Sequence, residues 1–145
     1  MKQYRHIVIA IALNEASDRI IIEKALAMAK ENQAILSLVH AIESVANFGV
    51  AYGVNANINI DDVLYDQEKE LFESVASKLG IPAEKQVLLS GAPKHVILEH
   101  AKEVGADLII LGSHGRHGAR LLLGSTANAI LHGATCDVLA VRLPS

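Results

Sequence analysis

Asp107-Leu108-Ile109-Ile110-Leu111-Gly112-Ser113-His114-Gly115-Arg116-His117-Gly118 is followed by Ala119, Arg120, three leucines and Gly124-Ser125-Thr126. The run from Asp107 to Leu111 is apolar without alternation, which predicts a strand buried on both faces. Glycines break it, and Gly124 to Ala134 then reads as a helix with Ala127, Ile130, Leu131 and Ala134 facing inward. A buried strand, a glycine turn and a helix in that order are one half of a βαβ unit.

The same alternation runs outward through the chain. Ile7 to Leu13, Ala34 to Val39, Gln86 to Leu89 and Val138 to Val141 read as further strands. Between them, Glu15 to Lys30 reads as a helix with Ile22, Leu26 and Ala29 on one face and Asn14 as its N-cap. Asp61 to Leu79 reads as a helix with Phe72, Val75, Ala76 and Leu79 on one face, stopped by Gly80. Pro93 to Val104 reads as a helix with Pro93 in its first turn and Gly105 past its end. Strands separated by single helices predict right-handed crossovers and a doubly wound parallel sheet, in one α/β domain spanning residues 1–145. Ala41 to Ile60, rich in glycine and asparagine, reads as a long connection, either a functional flap or a spacer.

Composition narrows the function classes. The 145 residues are 51% hydrophobic and 20% charged, which excludes disorder. A net charge of −3 opposes general nucleic-acid binding, and 3% aromatic residues leave no base-stacking platform. The longest apolar run, Ile7 to Leu13, is too short to span a bilayer, so no membrane insertion is expected. Lys2 and Arg5 ahead of that run imitate a signal peptide, but the run lacks a small-x-small cleavage site. The single cysteine, Cys136, allows no internal disulfide and fits a cytoplasmic protein.

The chemistry concentrates between Gly112 and Thr126. Gly112 and Gly115 lack a Cβ, so a ligand can approach the backbone there and positive φ is open to them. Gly124, Ser125 and Thr126 would present unpaired N–H groups at a helix N-terminus, an anion seat, with two hydroxyls added. His114, Arg116, His117 and Arg120 crowd four basic or titratable groups into seven residues, and no acid lies between Asp107 and Asp137. Open parallel sheets bind ligands beyond the carboxyl ends of their strands, which is where this stretch falls. The pattern fits a nucleotide triphosphate; it also fits a tight connection with solvated basic side chains. A Walker pattern and a G-x-G-x-x-G run are both absent.

Together, these residues resemble the universal stress protein family over essentially the whole chain. The matching stretches are Tyr4-Arg5-His6-Ile7-Val8-Ile9-Ala10, Leu38-Val39-His40, Asp107 through Gly115, and Gly124-Ser125-Thr126 through Val141. The resemblance implies a five-stranded sheet in the order 3-2-1-4-5 with helices on both faces. It implies a stress-related regulatory module forming a homodimer through the last strand. One branch of that family binds ATP through G-x-x-G, nine residues and G-[ST]; the other branch lacks the motif and binds no nucleotide. This chain has eight residues, Arg116 to Leu123, where nine are usual. It also has Ala12 where the first strand of ATP-binding members usually ends in an aspartate that contacts the nucleoside. The resemblance assigns the phosphates to Gly112, His114, Gly115, Gly124, Ser125 and Thr126, and the adenine pocket to Ala41 and Leu111, with Ala12 at the nucleoside end. Mg²⁺ is expected to accompany ATP. The alternative is a nucleotide-free dimeric adaptor for an unidentified protein partner.

The remaining chemistry-bearing residues read as structural. His114 and His117 lack a third metal ligand, and His95 and His100 stand about 140° apart on a helix. His40 and His132 read as packing or capping residues, and Cys136 as an inert core thiol. Glu68, Lys69, Glu70 and Glu73 read as a solvated helix face. No nucleophile elbow is present, and only His114 could serve as a base, so no catalytic residue is assigned and slow ATP hydrolysis is left open. Val138-Leu139-Ala140-Val141 is apolar and falls at a sheet edge, which invites pairing with a second copy.

Overall fold

Two chains of sequence logic, buried strands and capped helices, meet in a computed structural model that describes residues 3–43, 60–113 and 124–143. The strands are β1 (His6–Ala10), β2 (Ile35–Ile42), β3 (Gln86–Ser90), β4 (Leu108–Gly112) and β5 (Asp137–Val141). They form one parallel sheet in the order β3-β2-β1-β4-β5. Four α-helices are described: α1 (Glu15–Asn32), α2 (Ile60–Leu79), α3 (Pro93–Val104) and α4 (Ser125–Gly133). Alternate strand residues point to opposite faces. Ile7, Ile9, Leu38, Leu108 and Ile110 pack with Ile21 and Ala25 of α1 and Phe72 and Ala76 of α2. Val8, Ala10, Val39, Ile109 and Leu111 pack with Val96, Ile97 and Ala101 of α3 and Ala127 and Ile130 of α4. Helices therefore cover both faces, as the unbroken apolar strands predict.

The helix ends follow the local chemistry. Asn14 accepts a hydrogen bond from the Ser17 N–H at 3.1 Å and caps α1. Pro93 sits in the first turn of α3, and Gly105 ends it at a φ of +64°, where a Cβ would be strained. Gly80 turns the chain after α2 at +67°.

The buried face of α1 is only in part the expected one, since Ala29 is buried and Ile22 packs against the core. Asp18, Ile21, Ala25, Ala29 and Asn32 are buried, whereas Leu26 is exposed. Two polar residues belong to the inward stripe because each finds backbone partners there. Asn32 Oδ1 accepts from the N–H groups of Gln3 and Tyr4, and its amide donates to the Met28 carbonyl. In α4, Ala127 and Ile130 face inward as expected, but Leu131 is exposed and Ala134 lies past the helix, half-buried. The second strand runs to Ile42, so Ala41 lies within it and not beyond it. Of the stretch read as a long connection, Ala41 and Ile42 belong to β2 and Ile60 to α2, while residues 44–59 lie outside the described residues.

At the amino end of the sheet, Asp107 accepts from the N–H groups of Arg5 and His6 and locks β4 against β1. Beside it His6 Nε2 hydrogen-bonds Ser37 Oγ, and His100 of α3 lies buried with Nε2 unpartnered. Burial, then the positive charges of Lys85 and His100, hold the His6 imidazole below its usual range; Asp107 works the other way. Burial likewise lowers His100, against the pull of Glu103. Both imidazoles take up protons less readily folded than unfolded. Their contribution to stability is therefore complete above the ordinary histidine value of about 6.5 and is lost as pH falls through and below it. The melting temperature should drop between pH 7.5 and 5.5. His100→Leu, which keeps the apolar bulk, should flatten that drop; an equally steep drop in the variant contradicts the assignment.

Candidate functional site

The chain winds outward from β1 through β2 to β3, then crosses back to β4 and on to β5, so the winding reverses between β1 and β4. Ligands of such sheets bind at that reversal, outside the carboxyl ends of the strands. Gly112 ends β4 there, and Gly124 to Thr126 open α4 beside it. The two ends of the intervening segment are tied together. The Gly124 N–H donates to the Ser113 carbonyl at 2.8 Å, and the Ser113 N–H donates to the Val141 carbonyl at 2.8 Å. Gly124 therefore does not offer the free amide expected of it; it is the N-cap residue of α4, in extended conformation. The anion seat begins one residue later, at Ser125 and Thr126, where no side chain caps the helix and no acid lies in its first turn.

A second uncapped helix end faces the first. The N-cap of α3 is Ala92, again with no side-chain hydrogen bond. A cleft of about 470 Å³ lies between the two, lined by Gly91, Lys94, Ser125, Thr126 and Ala129, with Glu43 at its β2 side. Two converging helix N-termini and two hydroxyls make a pocket that suits an anion, while the Lys94 side chain runs along α4 toward Gly133. The single carboxylate among the lining residues, Glu43, is an acceptor for hydroxyl groups. Neither Lys94 nor Glu43 carries a sequence signal, because only the fold brings the ends of β2 and α3 next to α4.

Of the other residues singled out from the sequence, Ala41 and Leu111 are buried on the face covered by α3 and α4, as part of the core and not of the cleft wall. Ala12 is exposed just past β1. His114 and Gly115 lie outside the described residues. Gly112 has an unexpected reason to be glycine. Its φ is not positive, and a Cβ there would stand 2.5 Å from Leu143 Cδ1 and 3.2 Å from Ile21 Cδ1. The space that a Cβ would occupy is filled by the protein's own side chains, not left for a ligand.

Two residues read as structural join a buried polar group beneath this site. His40 Nδ1–H donates to the Ile11 carbonyl at 2.7 Å, and its Nε2 lies 3.4 Å from Glu68. Glu68 thus turns partly inward, while Lys69, Glu70 and Glu73 are exposed. Asp18, also buried, accepts from the Ala12 N–H at 3.0 Å. Burial raises its carboxyl above the usual range, against the opposing pull of backbone N–H groups and His40. At the far end of the molecule, His132 Nδ1–H donates to the Asn128 carbonyl. Cys136 is half-buried, and burial raises its thiol, as befits an unreactive cysteine. Among the described residues no three His, Cys, Asp or Glu side chains cluster as metal ligands, and no helix is long and apolar enough to cross a membrane.

The sequence model of the universal stress protein family matches residues 3–142. The chain is similar to Universal stress protein A homolog 2 of Coxiella burnetii, at 49% identity over 143 residues, 99% of this chain and 98% of the relative. Among solved structures it is similar to universal stress protein UspA from Lactobacillus plantarum, with a TM-score of 0.73 and 21% identity over 97% of this chain and 99% of the other. A universal stress protein solved in complex with cAMP aligns with a TM-score of 0.61 and 24% identity, over 95% and 96% of the two chains. At those identities the two solved structures speak for the fold alone.

Proposed function

The chain belongs to the universal stress protein family, and from that premise we propose that it is a regulatory module that binds ATP at the carboxyl end of its sheet. One observation carries this reading: the uncapped N-termini of α3 and α4 converge on a single cleft with Lys94, Ser125 and Thr126 on its walls. The first free amides of α4 and the hydroxyls of Ser125 and Thr126 bind phosphate oxygens. His114 and Gly115 complete the phosphate end. Glu43 accepts from ribose hydroxyls, a role the missing carboxylate at Ala12 cannot fill. Leu111 and Ala41 form the apolar layer beneath. Mg²⁺ would accompany the triphosphate and screen its charge.

The universal stress protein solved in complex with cAMP shares this fold, and in that protein the fold holds an adenine nucleotide. No residue is assigned to bond cleavage, and phosphate release compared with His114→Ala tests for slow hydrolysis. Its second copy pairs along β5, an edge strand whose outer backbone groups have no partner within the sheet; the mass in solution tests that pairing.

Titration calorimetry with ATP, and with cAMP as competitor, tests the nucleotide reading. Saturable heat with a Kd below about 1 mM is expected, with no phosphate release above that of His114→Ala. No heat at millimolar ATP overturns it.

A further inference from the structure

Leu13 is held at a φ of +60°. A branched aliphatic residue in that region is strained and persists only where its surroundings enforce it. The enforcement comes from three buried or half-buried side chains on three different elements. Asp18 of α1, 4% exposed, accepts the Ala12 N–H at 3.0 Å. His40 of β2 grips the preceding peptide through the Ile11 carbonyl. With Nδ1 committed to that carbonyl, its Nε2 faces Glu68 of α2 at 3.4 Å. The Ile11 N–H is tied to the Val39 carbonyl, and the Asn14 carbonyl takes the Asp18 N–H. The turn is thus fixed at each of these peptides, with Leu13 packed against the core and Ala12 left exposed.

A buried carboxylate and a buried imidazole are an expensive way to close a turn that glycine closes unaided. Their placement gives the reason. The turn leaves the carboxyl end of β1, the central strand, at the reversal point where the ligand crevice lies. We infer that Asp18, His40 and Glu68 are positioning residues for the nucleotide crevice, acting through the Ala12–Leu13 turn, an inference that rests on the nucleotide reading above. Asp18 is buried under the turn, bonded to the Ala12 N–H, and acts from beneath it. It sets where the exposed face of Ala12 stands against the nucleoside.

Amide exchange of the ligand-free protein and ATP calorimetry, run together, test this. Asp18→Asn should speed exchange at Ala12, Leu13 and Asn14 about tenfold, leave the strand amides unchanged, and weaken ATP about tenfold. Glu68→Gln, a partly exposed position that the fold tolerates, should do the same to a lesser degree, about two- to threefold. Adding Leu13→Gly to Asp18→Asn should restore affinity, because glycine holds the positive φ without the clamp. Heat from wild type matched by equal heat from both variants overturns the positioning role alone, as does loss of affinity with no rescue by glycine. No heat from wild type overturns the nucleotide reading, and this inference with it.

Discussion

Glutamate at both Ser125 and Thr126 should remove ATP binding while leaving the fold as stable as before. Both positions lie in the first turn of α4, where an acidic side chain is favourable to the helix by roughly 0.3–1 kcal/mol because the dipole is positive there. The same two positions line the cleft, so the carboxylates would occupy the anion seat. Two like charges about 4 Å apart repel by about 4 kcal/mol at the effective dielectric of a protein surface. Since about 1.4 kcal/mol is tenfold, a loss of more than a hundredfold is expected. Calorimetry against ATP, paired with a thermal melt, separates the two effects. A double variant that melts normally and binds within about threefold of wild type would place the phosphates elsewhere.

Gly112→Val should unfold the protein far more readily, by about 3 kcal/mol or roughly 6–12 °C in Tm for a chain of this size. The Cβ alone would press on Leu143 Cδ1 at 2.5 Å and Ile21 Cδ1 at 3.2 Å, and the two methyls of valine have nowhere further to go. Gly112→Ala should cost less, because the tip of Leu143 is the end of a flexible side chain that can shift. Thermal or urea unfolding of the two variants decides the matter. Normal stability with weakened ATP binding would return Gly112 to the role of a ligand contact.

That glycine marks the boundary of what the chain discloses when read as letters. The strand before it and the helix after it were legible because unbroken apolar runs and capping residues act locally. The strand sequence Leu108 to Leu111, the Pro93 start and Gly105 stop of α3, and the Phe72–Ala76 stripe all appear where expected. What a gap in the side-chain layer accommodates is a long-range fact, and Leu143 and Ile21 are distant from Gly112 in sequence. The α1 stripe was misjudged in part for the same reason: Asp18 and Asn32 count as polar until the backbone groups they satisfy are seen. Of the site itself, Ser125 and Thr126 were readable as a helix opening. Lys94, Glu43 and the convergence with α3 were not, because sheet order decides which helix ends become neighbours.

The 2.8 Å bond from the Gly124 N–H to the Ser113 carbonyl ties the opening of α4 to the end of β4. A connection that gains or loses one residue between ends fixed in this way changes its closure entropy only slightly. Drift in the number of residues between Gly115 and Gly124 therefore costs the scaffold little.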